Sequence, residues 1–284
     1  MSNAREKALI VGINSILGVS IAEKLKTHFD VHGIHHIQKD RIPSFVLSKP
    51  VEELHEFDDV YTVVCFVSAY IPTNQNINQE ALFATNVRLL ENVIKQFPSA
   101  RIVHASSVSV YGVMTQTVNE HAVQNEVSAY GLSKLWAEKI VSACDSYAIL
   151  RISSMFGPGM KRNTFLPLII QNALQKKEIV IYGDGSRKQD YIHVDDVAAC
   201  FYAAARSVEN GVFLAVSGTS YSNIEIAREL QKMISDVRIE HQGSDPVFSS
   251  SFDGAETRSR LHWRSEKNVV ESLLELIQWI KGQY

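Results

Sequence analysis

Residues Ala8 to Leu25 read Ala-Leu-Ile-Val-Gly-Ile-Asn-Ser-Ile-Leu-Gly-Val-Ser-Ile-Ala-Glu-Lys-Leu. Four apolar residues run into Gly12, and a stretch of helical period follows from Ile16 to Phe29, with Ile21, Leu25 and Phe29 on one face. The order is strand, turn, helix. Such a turn presents free backbone N–H groups and the positive end of a helix to whatever lies above it, which favours a pyrophosphate. Gly12 and Gly18 bound the turn, and Asn14, Ser15, Ile16 and Leu17 between them are candidate phosphate contacts. The spacing alone fits a plain strand-to-helix turn equally well, so position and later motifs decide.

Outward from this turn the same alternation continues. Strands are predicted at Val31 to His35, Phe45 to Leu47, Val60 to Val67, Arg101 to Ser106 and Tyr147 to Ile152, with helices at Gln79 to Phe97 and Ser128 to Cys144. Strands and helices in turn imply an α/β fold, a Rossmann-type doubly wound parallel sheet of about seven strands over residues 1–158. After Phe156 the texture changes at Gly157, Pro158 and Gly159, and a smaller C-terminal α/β substrate part is expected over 159–284, with the chain returning to the first part near 194–216. Its last helices are expected at Asn223 to Ile234 and Ser265 to Ile280.

Composition narrows the partners. The 284 residues are 45% hydrophobic and 21% charged, with 28 Lys+Arg against 31 Asp+Glu, a net charge of −3. That excludes disorder and leaves no electrostatic footprint for nucleic acid or an anionic membrane, so a small-molecule partner is expected. Cys65, Cys144 and Cys200 are widely spaced and in no CxxC pair, which argues against a disulfide framework or thiolate zinc site. No apolar run approaches the ~20 residues of a membrane span, and no leader segment precedes the first strand. A cytoplasmic location is the expectation.

The second strand ends at His35 and His36, with Lys39 and Arg41 behind, where a dinucleotide site usually carries an acidic residue for the adenosine ribose. A neutral-to-positive end suits a 2′-phosphate and tilts the cofactor from NAD toward NADP; the alternative is a solvated basic loop. The His32, His35, His36 cluster predicts no metal site, because strand alternation sends His32 and His35 to opposite faces.

Tyr130 and Lys134 stand four residues apart on one helix face. In a chain with 10 tyrosines that spacing proves little, but the pair follows a buried strand ending Ala105-Ser106-Ser107-Val108-Ser109-Val110-Tyr111-Gly112. Hydroxyls at that strand's carboxyl edge meet the Tyr-Lys helix over the crevice expected to hold ligand. Here the sequence resembles the extended short-chain dehydrogenase/reductase family, more narrowly its NAD-dependent epimerase/dehydratase group that works on nucleotide sugars. The resemblance runs through the glycine turn, Ser68-Ala69, Asn86, SSVSVYG, SAYGLSKLWAE, ILRISSMFGPG and YGDGSRKQDYIHVDD around Asp195 and Asp196.

The resemblance implies that Tyr130 is the acid/base, that Lys134 binds the nicotinamide ribose and lowers the tyrosine pKa, and that Ser107 hydrogen-bonds the reacting oxygen. Ser68 and Ala69 would border the cofactor, and Asn86, Ser154, Arg162, Gln189 and Arg258 are candidates for the substrate side. It also implies a homodimer through the helices at Gln79 to Phe97 and Ser128 to Cys144.

Three positions depart from the family pattern. Ser15 replaces the middle glycine of the turn, Ser154 replaces an Asn, and Gln189 replaces an Arg, which removes one bidentate phosphate ligand. Arg162, Arg187, Lys188 and Arg258 are the cations able to compensate. Val108 and Ser109 stand where the family's dehydratases place an Asp-Glu pair, which argues against dehydration. No cysteine stands beside Ser107, which argues against the GDP-fucose type of epimerase-reductase. What remains is redox chemistry at one sugar carbon, most often C4: a 4-keto-sugar reductase is the first expectation and a 4-epimerase the second. A non-catalytic NAD(P)-sensing protein is the alternative of another class.

Overall fold

The computed structural model describes residues 5–36, 39–72, 77–114, 116–245 and 247–283. In chain order the elements are β1 (Glu6–Val11), α1 (Ile16–Leu25), β2 (Phe29–His35), β3 (Leu47–Pro50), β4 (Val63–Phe66), α2 (Gln79–Phe83) and α3 (Leu89–Gln96). There follow β5 (Arg101–Ser107), α4 (Ala129–Val141), β6 (Tyr147–Ile152), β7 (Ser154–Phe156), α5 (Phe165–Lys176), β8 (Glu178–Tyr182), β9 (Lys188–His193) and α6 (Val194–Arg206). The chain ends with β10 (Gly211–Ala215), β11 (Ser220–Ser222), α7 (Asn223–Met233), β12 (Arg238–Gln242), α8 (Ala255–Leu261) and α9 (Val269–Lys281).

Seven parallel strands form the central sheet in the order β10-β6-β5-β4-β1-β2-β3. The order reverses between β1 and β4, so their carboxyl ends open the crevice in which doubly wound sheets take ligands. Alternate residues bury on opposite faces, which is why these strands read as continuous apolar runs. Ile10, Cys65, Val103 and Leu150 pack under α1 and α6 with Ile21, Leu25 and Phe201. Leu9, Phe66, Ile102 and Ile149 pack under α3 and α4 with Leu90, Val93, Ala137 and Val141. The seventh strand is β10, contributed after α6, so only six of the seven lie within residues 1–158.

A second layer stands beyond the sheet's carboxyl edge. It comprises a β11-β9-β7 sheet, a β12-β8 pair and the helices α5, α7 and α9, joined around Phe156, Ile170, Ile181, Leu230 and Leu273. Asp190 ties it down: its carboxylate accepts from Ser153 Oγ at 2.6 Å, Ser217 N at 2.9 Å and Gly218 N at 2.8 Å. Asp196 does the same for the C-terminal segment, accepting from Ser265 Oγ and the amides of Glu266 and Lys267. The two Asp residues of the YIHVDD run are therefore fasteners: Asp195 meets Ser20 of α1 and Lys267.

Several boundaries move from the sequence reading for local reasons. The third strand begins at Leu47, since Phe45 lies half-exposed beneath the Lys26 ammonium. Val60 is exposed, and the fourth strand starts at Val63. The helix expected from Gln79 to Phe97 is interrupted by a π-helical turn at Ala84–Arg88. The last helix begins at Val269, capped by Asn268, because the residues before it are bonded to Asp196.

Candidate active site

The glycine turn is built by close approach. Gly12 has φ of +96°, and a Cβ there would lie 2.8 Å from Ser68 N, so the turn after β1 sits against the loop after β4 only with glycine in place. Val67 and Ser68 both donate their amides to Val11 O at 2.9 Å, which holds Ser68 and Ala69 at the rim. Ser15, the departure from the family pattern, is the N-cap of α1: its Oγ accepts from Gly18 N at 2.9 Å and donates to Gly12 O at 2.8 Å. The serine keeps the turn by bonding across it. Ile16 and Leu17 occupy the first helical turn, where amides lack intrahelical partners, so the cradle fits a dinucleotide pyrophosphate.

The end of β2 separates the two histidines. His35 is 1% exposed, and burial holds its imidazole below the ordinary range and uncharged. That burial weakens the case for a charged His35 on a 2′-phosphate. His36 is exposed and turns its Nε2 to Ser68 Oγ at 3.0 Å, bridging the two rim loops. Arg41 reaches away and donates to Gly159 O at 3.0 Å. His32 is occupied by Tyr61 at 2.6 Å.

Tyr130 and Lys134 lie on the inner face of α4, which Ser128 caps through Gly131 N. Gly131 sets the approach, since a Cβ there would lie 2.5 Å from Ser109 O in the turn after β5. With no side chain in the way, the phenol is brought beside Ser107, whose hydroxyl favours its ionised form. Ser107 Oγ also accepts from Ser109 N at 3.1 Å, which fixes its direction. The Lys134 ammonium is 5.9 Å from the Tyr130 ring centroid and donates to Ala105 O at 2.9 Å. Burial pushes Tyr130 up to about 12, with the nearby Ser107 hydroxyl working against it, and pushes Lys134 down to about 8. The protein alone therefore leaves Tyr130 a neutral phenol near pH 7, so the lowering that the resemblance implies needs a further positive charge beside it.

The substrate-side candidates separate. Asn86 is fully buried, and its amide is spent on Tyr70 N at 2.7 Å, Tyr70 O at 3.1 Å and Ser133 Oγ at 3.0 Å. It joins the loop after β4 to α4, and its Nδ2 donations are spent on that junction. Ser154 and Gln189 lie half-buried on neighbouring strands β7 and β9, and Gln189 Nε2 donates to Tyr191 Oη at 2.9 Å. Arg162 bonds Gln283 at 3.0 Å and lines a cleft of about 900 Å³ with Ile16, Arg41, His193 and Trp279, on the outer flank of α1. Arg258 faces Asp253 at 3.5 Å and lines a separate cleft with Lys24 and Lys267. Neither arginine bonds the Tyr130 cluster. Among the described residues no group of three metal-ligating side chains converges, and no helix is long and apolar enough to cross a membrane.

The pattern of the NAD dependent epimerase/dehydratase family matches residues 8–215, which takes in the turn, the Ser107 strand, the Tyr130 helix and β10. The chain belongs to that family. It is 22% identical over 320 residues to a UDP-N-acetyl-alpha-D-glucosaminuronate decarboxylase of Bacillus cytotoxicus, covering 98% of each. It is 24% identical to a dTDP-D-glucose 4,6-dehydratase of Dictyostelium discoideum over 64% of this chain and 47% of that one, so it spans about half of that relative. The UDP-glucuronic acid 4-epimerase of Bacillus cereus, solved with NAD, superposes with a TM-score of 0.85 at 20% identity, over 98% of this chain and 99% of that one. Family membership makes this chain an enzyme of the NAD dependent epimerase/dehydratase type.

Sequence reading alone missed the groups behind the site. Glu138, at the end of the quoted SAYGLSKLWAE, and Arg151, in ILRISS, form a buried pair at 2.7 Å, and His104 lies fully buried ahead of Ala105. The signal for Glu138 was present as a carboxylate four residues beyond Lys134 on an otherwise inward-facing stripe.

Proposed function

We propose that this enzyme interconverts C4 epimers of a nucleoside diphosphate sugar with NAD retained. The observation that carries the reading is that Tyr130 and Lys134, one turn apart on α4, meet the carboxyl edge of β5, where Lys134 bonds Ala105 O and the strand ends at Ser107. A bound nicotinamide dinucleotide supplies the hydride acceptor at this edge. Gly12, Asn14, Ser15, Ile16, Leu17 and Gly18 cradle its pyrophosphate, and Ser68 and Ala69 border it. Ser107 orients the sugar hydroxyl by hydrogen bonding, Tyr130 takes its proton as the carbon is oxidised and returns it on reduction, and Lys134 stabilises the phenolate. Ser154 and Gln189 face the substrate from the second layer. Val108 and Ser109 offer no second acid to remove water, so the chemistry stays at one carbon.

The burial of His35 favours epimerase over reductase, since it removes one of the two histidines that pointed to NADPH. A 4-keto-sugar reductase is the second reading, supported by the lack of a carboxylate at positions 35 and 36. The enzyme is proposed to work as a homodimer through α2, α3 and α4, where Phe83, Leu132 and Trp136 are exposed.

The test is to identify the cofactor the purified protein carries, titrate the stripped protein with NADH and NADPH, and incubate it with UDP-glucose and UDP-glucuronic acid and, in the presence of NADPH, with a UDP-4-keto-6-deoxy sugar that can accept the hydride. Epimer formation without added reduced cofactor is expected, and Tyr130→Phe should lower it ~10³-fold while cofactor affinity holds. Turnover that consumes NADPH stoichiometrically would put the reductase first. Failure to bind either cofactor would favour the sensing protein.

A further inference from the structure

Glu138 lies one helical turn beyond Lys134 on α4, as Lys134 lies one turn beyond Tyr130, so the three side chains share a face. Glu138 is 6% exposed and Lys134 1%. The carboxylate is fixed from two strands. Arg151 of β6 donates from Nε at 3.0 Å and from Nη2 at 2.7 Å, and Ser106 of β5 donates to Oε1. Arg151 is held in turn by Glu120 O at 3.2 Å and lies over the Tyr111 ring at 4.7 Å.

The Lys134 ammonium is placed quite differently. It donates to one carbonyl, Ala105 O, and among the described residues no carboxylate comes within ion-pair distance. The titratable groups facing it are Tyr130 and Glu138 on its own helix and His104 on β5, with Arg151 behind Glu138 on β6. His104 is fully buried, neither ring nitrogen has a protein partner, and burial beside the ammonium keeps it uncharged. Tyr130 is a neutral phenol. Glu138 is thus the anion that offsets the desolvation of this lysine.

We propose that Glu138 is a positioning residue for Lys134: its carboxylate, pinned between Arg151 and Ser106, is the fixed counter-charge that keeps the ammonium protonated between Ala105 and Tyr130. The proposal rests on the reading of Tyr130 and Lys134 as the reacting pair, but the charge of Lys134 is measurable without any substrate. A carboxylate that merely fastened α4 to the sheet would affect stability and leave the ionisation of Lys134 where it is.

The experiment uses full-length protein labelled with ¹³C at lysine Cε, the Lys134 signal being identified by its loss in Lys134→Arg. Its titration is followed in the wild type, in Glu138→Gln and in the double variant Glu138→Met with Arg151→Met. Glu138→Gln leaves Arg151 buried without its partner and can fail to fold. The double variant replaces the whole pair with apolar side chains of similar length, a change that proteins tolerate, so the fold is kept. The Lys134 ionisation constant should rise about tenfold in the folded variants, one unit lower in pH, and the alkaline limb of the pH–rate profile should move with it. An unchanged Lys134 titration in the folded double variant would overturn the proposal. A moved titration with an unmoved rate profile would uphold Glu138's hold on Lys134 and count instead against Lys134's part in the reaction.

Discussion

Lys134 shows how much of this site is set by where one side chain is buried. Its ammonium titrates in the folded protein at about 8, against 10.5 for the free group. Between those values the unfolded chain binds more protons, so this residue's contribution to stability rises as the pH climbs from about 8 to 10.5. Below pH 8 the buried charge carries a constant net cost of ~3 kcal/mol, and removing the lysine leaves Ala105 O without its partner, a loss of ~1 kcal/mol. Lys134→Met should therefore be the more stable protein at pH 7, by ~2 kcal/mol, with the advantage shrinking toward pH 10. Thermal melts of both proteins at pH 7 and pH 9.5 check this, and a variant less stable than wild type at pH 7 would show that the ammonium is not desolvated as the structure has it. A residue that costs stability at neutral pH is in the place where function, and not folding, explains it.

At the scale of elements, the sequence was informative wherever a local signal chose the structure. The strand-turn-helix at Ala8 to Leu25, the Tyr130 helix and the strand ending at Ser107 all follow from apolar period, and Ser128 and Ser15 cap the two helices by their side-chain oxygens, whereas apolar spacing alone begins the last helix at Ser265 and misses the Asn268 cap. What stayed hidden depended on depth. The burial of His35 and Asn86 was not legible, because nothing in the sequence says how far into the sheet or under a helix a polar side chain lies. The π-helical turn at Ala84–Arg88 also leaves no apolar-period signature, although it helps bring Asn86 onto Tyr70 and Ser133. Gly131 is the element-scale determinant that the YGLSK run contains without announcing, because its Cβ position is filled by Ser109 O. Gly131→Ala should keep the fold, with the helix moved a few tenths of an ångström or more off the turn after β5, and lower kcat by at least ~10²-fold through misplacement of Tyr130. Circular dichroism and turnover measured together check this; full activity with an intact fold would show that the Tyr130–Ser107 distance is not critical.

The whole molecule presents Tyr130 and Lys134 inward and an apolar strip outward on the same helix. Leu132 and Trp136 of α4 are 56% and 58% exposed, four residues apart, and Trp136 meets Phe83 of α2 edge-on at 5.9 Å, with Arg88 lying 5.7 Å over the Phe83 ring. Large aromatic and aliphatic side chains left together on one surface are the usual mark of a protein interface. A two-fold contact there would pack α4 of one subunit against α2, α3 and α4 of the other, and would press on the outer face of the helix whose inner face carries Tyr130 and Lys134. The expected mass in sedimentation equilibrium at micromolar concentration is twice the 31.8 kDa chain. Trp136→Glu places a charge at the centre of the strip and should give a folded protein of single-chain mass. If α4 draws its rigidity from the contact, that monomer should also turn over more slowly while binding cofactor normally. A wild type that sediments at 31.8 kDa would remove the dimer and leave the strip to another partner.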